Sequence, residues 1–279
     1  KERNIRSIIF AKERIIASTV DGILVGWDRR ELNKKYEILW REKDPIRSIA
    51  VNHSDGTLVA GNDKGQVLIW KKGDLTAVPD TITDLGKIYD ISFNPKTNAI
   101  GIATEYNGVL ILDSQGQNVA PFDFDKQKIY SLAFSNDGKH LAAGCSDGRI
   151  LLWDLNNPDR LPERLNAHES GINALKFSPE NETLASAGAD GVINLWAISS
   201  LSTEPRRLVG HNTYVWDIEF SPDGNFILSS GSDNSIRRWQ INADQMSDKL
   251  CSEIKRDLTS DEWERYVGTD VDFIKVCKD

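Results

Sequence analysis

The sequence contains few residues of the types that build disulfide frameworks or metal sites. Its 279 residues include three cysteines and four histidines. Cys145, Cys251 and Cys277 are too few for a fold held by disulfides, so we expect a reducing compartment, the cytoplasm. Because the chain has no CxxC pair and no close histidine pair to complete a zinc site, we expect no metal and no cofactor.

Long apolar runs and an excess of positive charge are also missing. No stretch approaches the roughly 18 uninterrupted apolar residues of a membrane span, and none has the layout of a signal peptide, so we expect no membrane partner. The formal net charge of −8 argues against general nucleic-acid binding, which needs a basic surface. The chain starts at Lys1, and Met246 is its only methionine. We therefore expect a piece of a longer protein.

Catalytic motifs are absent as well. The chain has no glycine-rich phosphate loop, no HExxH and no GxSxG. His53, Ser54 and Asp55 are the residue types of a hydrolase triad, but adjacent residues on a turn cannot adopt its geometry. Asp123 and Asp125 supply too few oxygens for calcium. We expect that the protein is not an enzyme.

What the sequence does contain is a repeat. Six similar segments begin 41, 42, 41, 43 and 43 residues apart. They are IRSIIF from Ile5, IRSIAV from Ile46, IYDISF from Ile88, IYSLAF from Ile129, INALKF from Ile172 and VWDIEF from Val215. A period of this length indicates a repeat architecture in which each unit covers the apolar face of the next.

Each repeat continues in the same order. A turn such as SPDG leads to a short strand of small residues, and a tight turn leads to a strand that ends in a large side chain. These repeats are centred on Trp27, Trp70, Leu112, Trp153, Trp196 and Trp239. Because Leu112 replaces the tryptophan, we expect the third unit to be the least regular. With a fourth, more variable strand, each unit describes one antiparallel blade of an all-β propeller.

These repeats resemble the WD-repeat family over residues 5 to about 241, and we place a propeller domain at residues 1–241. In that family, histidine, serine, aspartate and tryptophan form a hydrogen-bonded set that stabilises a blade. The resemblance assigns this set to His168, Ser186, Asp190 and Trp196 in repeat five, and to His211, Ser229, Asp233 and Trp239 in repeat six. The family usually closes with seven blades, so we expect a seventh blade upstream of the six visible repeats.

The remaining residues, 242–279, change in character. Met246, Leu250 and Ile254 lie at helical spacing, and TSDE from Thr259 is a capping box, so we expect a short helical tail packed on the propeller. The segment resembles the tail that follows WD repeats in bacterial multidomain proteins with a STAND NTPase, a caspase-like protease or a kinase. That resemblance implies a bacterial origin and an upstream effector domain in the same polypeptide. For the two tail cysteines we favour separate thiols, and a bridge is the alternative.

One position of the repeat varies in chemistry. The second residue of each innermost strand is Arg, Tyr, Asn or Trp, whereas the first, fourth and sixth are apolar. In WD-repeat proteins this position, with two neighbouring ones, forms the top face that binds partner proteins or peptides. We name as top face Arg6, Arg47, Lys87, Tyr89, Tyr106, Lys128, Tyr130, Asn173, Tyr214 and Trp216.

The sequence therefore predicts a non-catalytic module for recognition and scaffolding. Because arginine and aromatic residues dominate binding hot spots, we expect the top face to bind a protein or peptide, with an acidic one favoured. The module would be the C-terminal sensor domain of a bacterial signalling or defence protein. Two alternatives stay open: a propeller that docks on its own upstream domain and inhibits it, and a propeller that senses a small ligand or catalyses a reaction.

Overall fold

The protein forms six small sheets arranged in a ring. The structure is a computed structural model that describes residues 4–113, 116–121 and 127–242, and Thr259. Every pair of neighbouring strands is antiparallel, and within each sheet the strands follow one another in chain order. The predicted all-β propeller is confirmed, with six blades in the described residues. The predicted helical tail lies outside those residues apart from Asn242 and Thr259, and it stays a prediction, as does the seventh blade.

The first three blades each have four strands. Blade one consists of β1 (Ile5–Ala11), β2 (Arg14–Thr19), β3 (Ile23–Asp28) and β4 (Glu37–Arg41). Blade two consists of β5 (Ile46–Val51), β6 (Leu58–Asn62), β7 (Val67–Trp70) and β8 (Asp80–Ile82), with a 3-10 turn at Lys71–Gly73. Blade three consists of β9 (Ile88–Phe93), β10 (Ile100–Thr104), β11 (Gly108–Leu112) and β12 (Asn118–Pro121).

Blades four and five repeat this pattern, and blade six has three strands within the described residues. Blade four consists of β13 (Ile129–Phe134), β14 (His140–Cys145), β15 (Arg149–Asp154) and β16 (Glu163–Asn166). Blade five consists of β17 (Ile172–Phe177), β18 (Thr183–Gly188), β19 (Val192–Ala197) and β20 (Arg206–Val209), with a 3-10 turn at Ile198–Ser200. Blade six consists of β21 (Val215–Phe220), β22 (Phe226–Gly231) and β23 (Ile236–Gln240).

The core of the molecule lies between the blades. At the junction of blades four and five, Ile150 and Leu152 pack against Ile172, Leu175 and Phe177. Similar apolar clusters fill the four other junctions between consecutive blades. Because each sheet is only one layer thick, its side chains leave water only where a neighbouring blade covers them.

The described residues leave a gap in the ring between its first and last blades. Each innermost strand lies against the next from β1 to β21, and no comparable contact joins β21 to β1 within the described residues. Ile8 and Phe10 of β1 are 55% and 57% exposed, although the corresponding apolar residues of β13 and β17 are buried. On the same side of blade one, Ala17, Ile23 and Val25 are buried. We call the space between blade one and blade six the ring opening.

Blade five contains the complete four-residue set that the family resemblance assigns. His168 Nδ1 lies 3.0 Å from Asp190 Oδ2, and its Nε2 lies 2.8 Å from Ser186 Oγ. The indole N–H of Trp196 donates to the same Ser186 Oγ at 3.2 Å. The set therefore ties the loop before β17 to the turn after β18 and to β19.

Blade six contains the same set. His211 lies 3.0 Å from Asp233 and 2.7 Å from Ser229, and the indole of Trp239 donates to Ser229 at 2.8 Å. Hydrogen bonds from Ser235, then from His211, hold the pKa of the Asp233 carboxyl well below its usual range. This carboxylate therefore stabilises the fold above its ordinary pKa, and that contribution is lost as the pH falls below it.

The directions of these hydrogen bonds follow from the donors. The Asp190 carboxylate can only accept, so the proton of a neutral His168 imidazole sits on Nδ1. Nε2 then accepts from the Ser186 hydroxyl, whose oxygen accepts from the Trp196 indole. Burial lowers the pKa of His168, and Asp190 opposes that effect. A neutral imidazole thus satisfies every member of the buried set.

Other blades lack parts of the set. In blade four, Asp147 accepts from Arg149 at 2.8 Å instead of from a histidine. In blade two, Ala60 of β6 occupies the serine position, and the buried Trp70 indole nitrogen has no hydrogen-bond partner. A buried donor without a partner lowers the free energy of unfolding, so blade two lacks a stabilising contribution that blades five and six have.

We predict that Ala60→Ser stabilises the protein. The new hydroxyl would accept from the Trp70 indole, as Ser186 does from Trp196, and we expect a gain of about 1 kcal/mol in the free energy of unfolding by urea denaturation. Ala185→Ser, which places the same hydroxyl in the apolar junction of blades five and six, is the control and should destabilise. Equal losses in both variants would contradict the pairing.

Candidate functional site

The variable second position of each innermost strand is a β-bulge. In blade three, Ile88 pairs with Thr104 and Asp90 with Ala103, so Tyr89 has no partner across the ladder. The same register shift occurs at the corresponding residue in the five other blades. Because a bulged residue leaves the regular pleat, its side chain is directed away from the sheet, to the rim of the channel.

Three of these bulged residues form a continuous row on blades two to four. The Arg47 guanidinium lies 5.8 Å from the centre of the Tyr89 ring, and the Tyr89 and Tyr130 ring centres are 5.1 Å apart. Burial raises the pKa of Tyr89. The Tyr130 ring also lies over Gly171 at the start of blade five, where a Cβ would sit 3.0 Å from it. The row thus crosses three blade junctions, with its two tyrosine rings tilted by 57° to each other.

The positive charge of the top face is partly neutralised. Arg47 Nε lies 2.8 Å from Asp63 Oδ1, and Lys87 lies 3.9 Å from the same oxygen. Lys128 Nζ lies 3.5 Å from Glu105 Oε1, and the nearby Tyr89, followed by Glu105, raises the pKa of Lys128. Sequence reasoning did not place Asp63 and Glu105 on the top face. Their ion pairs join residues of different strands or blades, so only the folded ring reveals them.

The remaining predicted residues lie apart from this row. Tyr214 and Trp216 stack edge to face with ring centres 5.6 Å apart, and both are about half exposed. Asn173 donates to the Val215 carbonyl at 2.8 Å, which ties blade five to blade six. Tyr106 is exposed over Gly86, and Arg6 lies on blade one at the ring opening. The ten residues therefore form one row and several separate positions, not a single patch.

The channel beside the rim contains charged residues that sequence reasoning did not use. The channel encloses about 1260 Å³, and its lining includes Asp90, Lys176, Asp217 and Glu219. Lys176 Nζ lies 2.8 Å from Glu219 Oε2. Both side chains of this pair are in contact with water inside the channel. Burial among the channel walls opposes the charge of Lys176, but the nearby acids outweigh it and raise the pKa of Lys176. Asp90 and Asp217 could have been found from the sequence, because both occupy the third position of an innermost strand, which is aspartate in two of the six repeats.

Asp90 connects three blades. Its Oδ1 accepts from Ser48 Oγ of blade two at 3.0 Å and from the Ile91 amide at 2.8 Å. Its Oδ2 accepts from the Leu132 amide of blade four at 2.8 Å. Burial raises the pKa of Asp90 to about 6 in spite of these three donors and of the distant Lys176.

The arrangement offers little for catalysis. Ser186, His168 and Asp190 have the hydrogen-bond pattern of a hydrolase triad, but Ser186 and the His168 side chain are fully buried. Ser186 also accepts from the Trp196 indole, so no substrate carbonyl can approach its oxygen. A protonated Lys176 is a poor nucleophile. The set is structural.

The described residues also contain neither a candidate metal cluster nor a candidate membrane span. No group of three or more His, Cys, Asp or Glu side chains there is placed to hold a metal ion. In the same ranges, no helix has the length and apolarity needed to cross a bilayer.

Sequence profiles of known families match the repeats. The profile described as "WD domain, G-beta repeat" matches residues 160–197 and 202–240, and "Anaphase-promoting complex subunit 4 WD40 domain" matches residues 91–169. The chain belongs to the WD40-repeat family. The matched ranges include the two blades with the complete histidine, serine, aspartate and tryptophan set.

Three of the WD40 relatives come from animals. "WD repeat-containing protein SL1-17" of Schistosoma mansoni is 28% identical over 150 residues, which are 52% of this chain and 48% of the relative. "WD repeat-containing protein 1" of Rattus norvegicus is 26% identical over 128 residues, or 43% and 20%. "Intraflagellar transport protein 122 homolog" of Xenopus tropicalis is 33% identical over 87 residues, or 28% and 7%. The chain thus spans about half or less of these relatives, and they show no bacterial context.

We predict that the stability of this WD40 propeller depends on the protonation of Asp90. A carboxyl whose pKa rises from 3.8 to about 6 on folding weakens the fold progressively as pH rises through that range. When the pH is raised from about 4.5 to about 7.5, the unmodified protein loses this stabilisation and Asp90→Asn does not. The free energy of unfolding of the variant, relative to that of the unmodified protein, should therefore rise by about 2 kcal/mol.

Urea denaturation at both pH values measures this difference. Asp159→Asn changes a carboxylate in the exposed loop before β16 in the same way and serves as the control. An equal change in the control, or a difference for Asp90→Asn that does not vary with pH, would contradict the prediction.

Proposed function

We propose that this chain is a non-catalytic protein-recognition module whose top face binds an acidic segment of a partner protein. WD-repeat proteins generally mediate protein–protein interaction and scaffolding, and their propellers are typically not enzymes. The observation that carries the proposal for this chain is the row of Arg47, Tyr89 and Tyr130, which crosses three blades at the channel rim.

The charge of the top face favours an acidic partner. Four cationic residues were predicted on the top face, and the structure places two carboxylates, Asp63 and Glu105, among them. Lys128 pairs with Glu105 at 3.5 Å and Lys87 with Asp63 at 3.9 Å, so both ammonium groups keep free donors. A partner carboxylate would complete their hydrogen bonds, and the excess of positive charge would attract it.

The aromatic rings supply the area for binding. Tyrosine and tryptophan bury a large surface at a small entropy cost, and their polar atoms can bond to a peptide backbone. Tyr214 and Trp216 are half exposed and already stacked on each other, so little further side-chain entropy is lost when a partner covers them. The bulge that directs each second-position side chain out of the sheet supports the same function.

We further propose that the module acts within a larger polypeptide, as its sensor domain beside an effector domain. Support comes from two of the relatives, since the segments that match this chain make up only 20% and 7% of their lengths. A bacterial signalling or defence context rests on the tail motif alone, and the named relatives do not add to it.

Selection of peptides tests the recognition proposal. A phage-displayed library of random peptides selected on the 279-residue chain should yield acidic sequences with aromatic or apolar residues between the acids. Tyr130→Ala and Trp216→Ala should each weaken the selected peptide at least tenfold by calorimetry, since both remove a ring of the top face. Binding should also weaken as salt is added.

Tyr36→Ala makes the same truncation next to the outer strand β4 and is the matched control. It should leave peptide affinity unchanged. Unaltered affinity in both top-face variants would contradict the proposal. Loss of cooperative thermal unfolding in those variants would show instead that the rings belong to the core.

A further inference from the structure

The side of the ring opposite the top face is built from two connections of each blade. Because neighbouring strands are antiparallel, the turn between the first and second strands lies on the same side as the loop between the third and fourth. In blade one, the Arg29 amide donates to the Glu13 carbonyl at 2.9 Å, and in blade four the Leu155 amide donates to the Lys139 carbonyl at 2.7 Å. We call the surface formed by these turns and loops the bottom face.

Charge on the bottom face is divided between two halves. The basic half, formed by the turns and loops of blades one and two, has seven cations and four acids, a net charge of +3. Its cations are Lys12, Arg29, Arg30, Lys34, Lys35, Lys71 and Lys72, and its acids are Glu13, Glu31, Asp55 and Asp74.

The acidic half is formed by the turns and loops of blades four to six. It has two cations and six acids within the described residues, a net charge of −4. The cations are Lys139 and Arg160, and the acids are Asp137, Asp159, Glu180, Glu182, Glu204 and Asp223. Blade three lies between the two halves.

Ion pairs inside the chain neutralise only part of this charge. In the basic half, Glu13 binds Arg30 at 2.9 Å and Glu31 binds Lys34 at 2.6 Å. The cations of this half that make no ion pair within the described part of the chain are Lys12, Arg29, Lys35 and Lys72. The corresponding acids of the acidic half are Asp159, Glu180, Glu182, Glu204 and Asp223. Free charges of opposite sign therefore remain on the two halves.

Two lysines of the basic half have a backbone conformation that disfavours them. Lys12 has a φ of 50° and Lys72 a φ of 56°. In the turn that corresponds to that of Lys12, the residue with positive φ in the five other blades is glycine or asparagine: Gly56, Asn98, Gly138, Asn181 and Gly224. A long side chain is less stable there than glycine. This positive charge is therefore present at a cost to stability, which favours a function for it.

The two halves lie on opposite sides of the channel. Around the ring from the junction of blades one and two, blades two, three and four lead to blade five in one direction. In the other direction, blade one, the ring opening and blade six lead to it. Both halves also expose apolar side chains on their loops, since Leu32 and Val78 of the basic half and Leu161 of the acidic half are 57%, 88% and 72% exposed.

We infer that the bottom face binds the bottom face of a second copy of this chain. A two-fold axis that lies in the interface, between the two halves, places the basic half of each copy on the acidic half of the other. One exposed ion pair contributes little, but the symmetry repeats every pair, and the opposite charges also select this orientation. Leu32, Val78 and Leu161 leave water in the same interface.

This inference does not rest on the top-face proposal, because the top faces of both copies point away from the interface. A failure of either one would leave the other unaffected.

Sedimentation velocity of the 279-residue chain measures the association. We expect a reversible equilibrium between monomer and dimer with a Kd below about 0.1 mM at low salt. Raising the NaCl concentration from about 0.1 M to about 1 M shortens the Debye length from about 10 Å to about 3 Å, so the Kd should rise about tenfold or more. This salt dependence tests the inference without any variant.

Reversal of the charges tests which halves meet. One triple variant makes both halves acidic: Lys12→Glu, Lys35→Glu and Lys72→Glu. A second makes both halves basic: Glu180→Lys, Glu182→Lys and Glu204→Lys. All six side chains are exposed, so we expect both variants to fold. Each variant alone should dimerise at least tenfold more weakly, because like charges then face each other. An equimolar mixture of the two should form a heterodimer again.

A third triple variant is the control for net charge. Arg41→Glu, Lys43→Glu and Lys64→Glu change the net charge as much as the first variant does, but they lie on the side of the top face. The control should dimerise like the unmodified chain.

Four results would overturn the inference. The first is an unmodified chain that stays monomeric up to about 0.1 mM at low salt. The second is a dimer that both charge variants retain. The third is a mixture of the two variants that forms no heterodimer. The fourth is an unmodified chain that binds phosphatidylserine vesicles without associating with itself, which would assign the basic half to a membrane surface instead.

Discussion

Coverage of each blade by the next is the constraint on which this structure depends. A sheet one layer thick has two apolar faces, and Ile150 or Ile193 leaves water only because the following blade lies against it. The hydrogen-bonded sets in blades five and six tie the second and third strands to the loop before the innermost strand, and Asp90 and Asn173 join neighbouring blades at the channel. Where coverage stops, at Ile8 and Ile236, the same apolar positions are exposed.

The recognition surface follows from the same geometry. Each innermost strand has one bulge, and the bulge frees one side chain per blade from packing. Neighbouring blades then bring these side chains within contact distance, as Arg47, Tyr89 and Tyr130 show. The rim can thus vary in chemistry while the core positions stay apolar.

Much of the fold could be predicted from the sequence, since the repeat spacing and the apolar first, fourth and sixth positions define each innermost strand. The partners of Trp196 and Trp239 could be predicted from the family resemblance. The ion pairs of Asp63 and Glu105 and the bonds of Asp90 to other blades could not, because they join residues brought together by the ring, up to 42 residues apart. The bulge left a signal, the variable second position, but only the register explains it. The tail lies outside the described residues, so its helices stay a prediction.

Hydrogen exchange measured strand by strand tests most directly whether coverage by a neighbouring blade stabilises each sheet. In the isolated 279-residue chain, the amides of β13 and β17, which lie between two blades, should exchange slowly and only by global unfolding. The amides of β1 and β23, which border the ring opening, should exchange much faster by local opening. Equally slow exchange in all four strands would contradict the account.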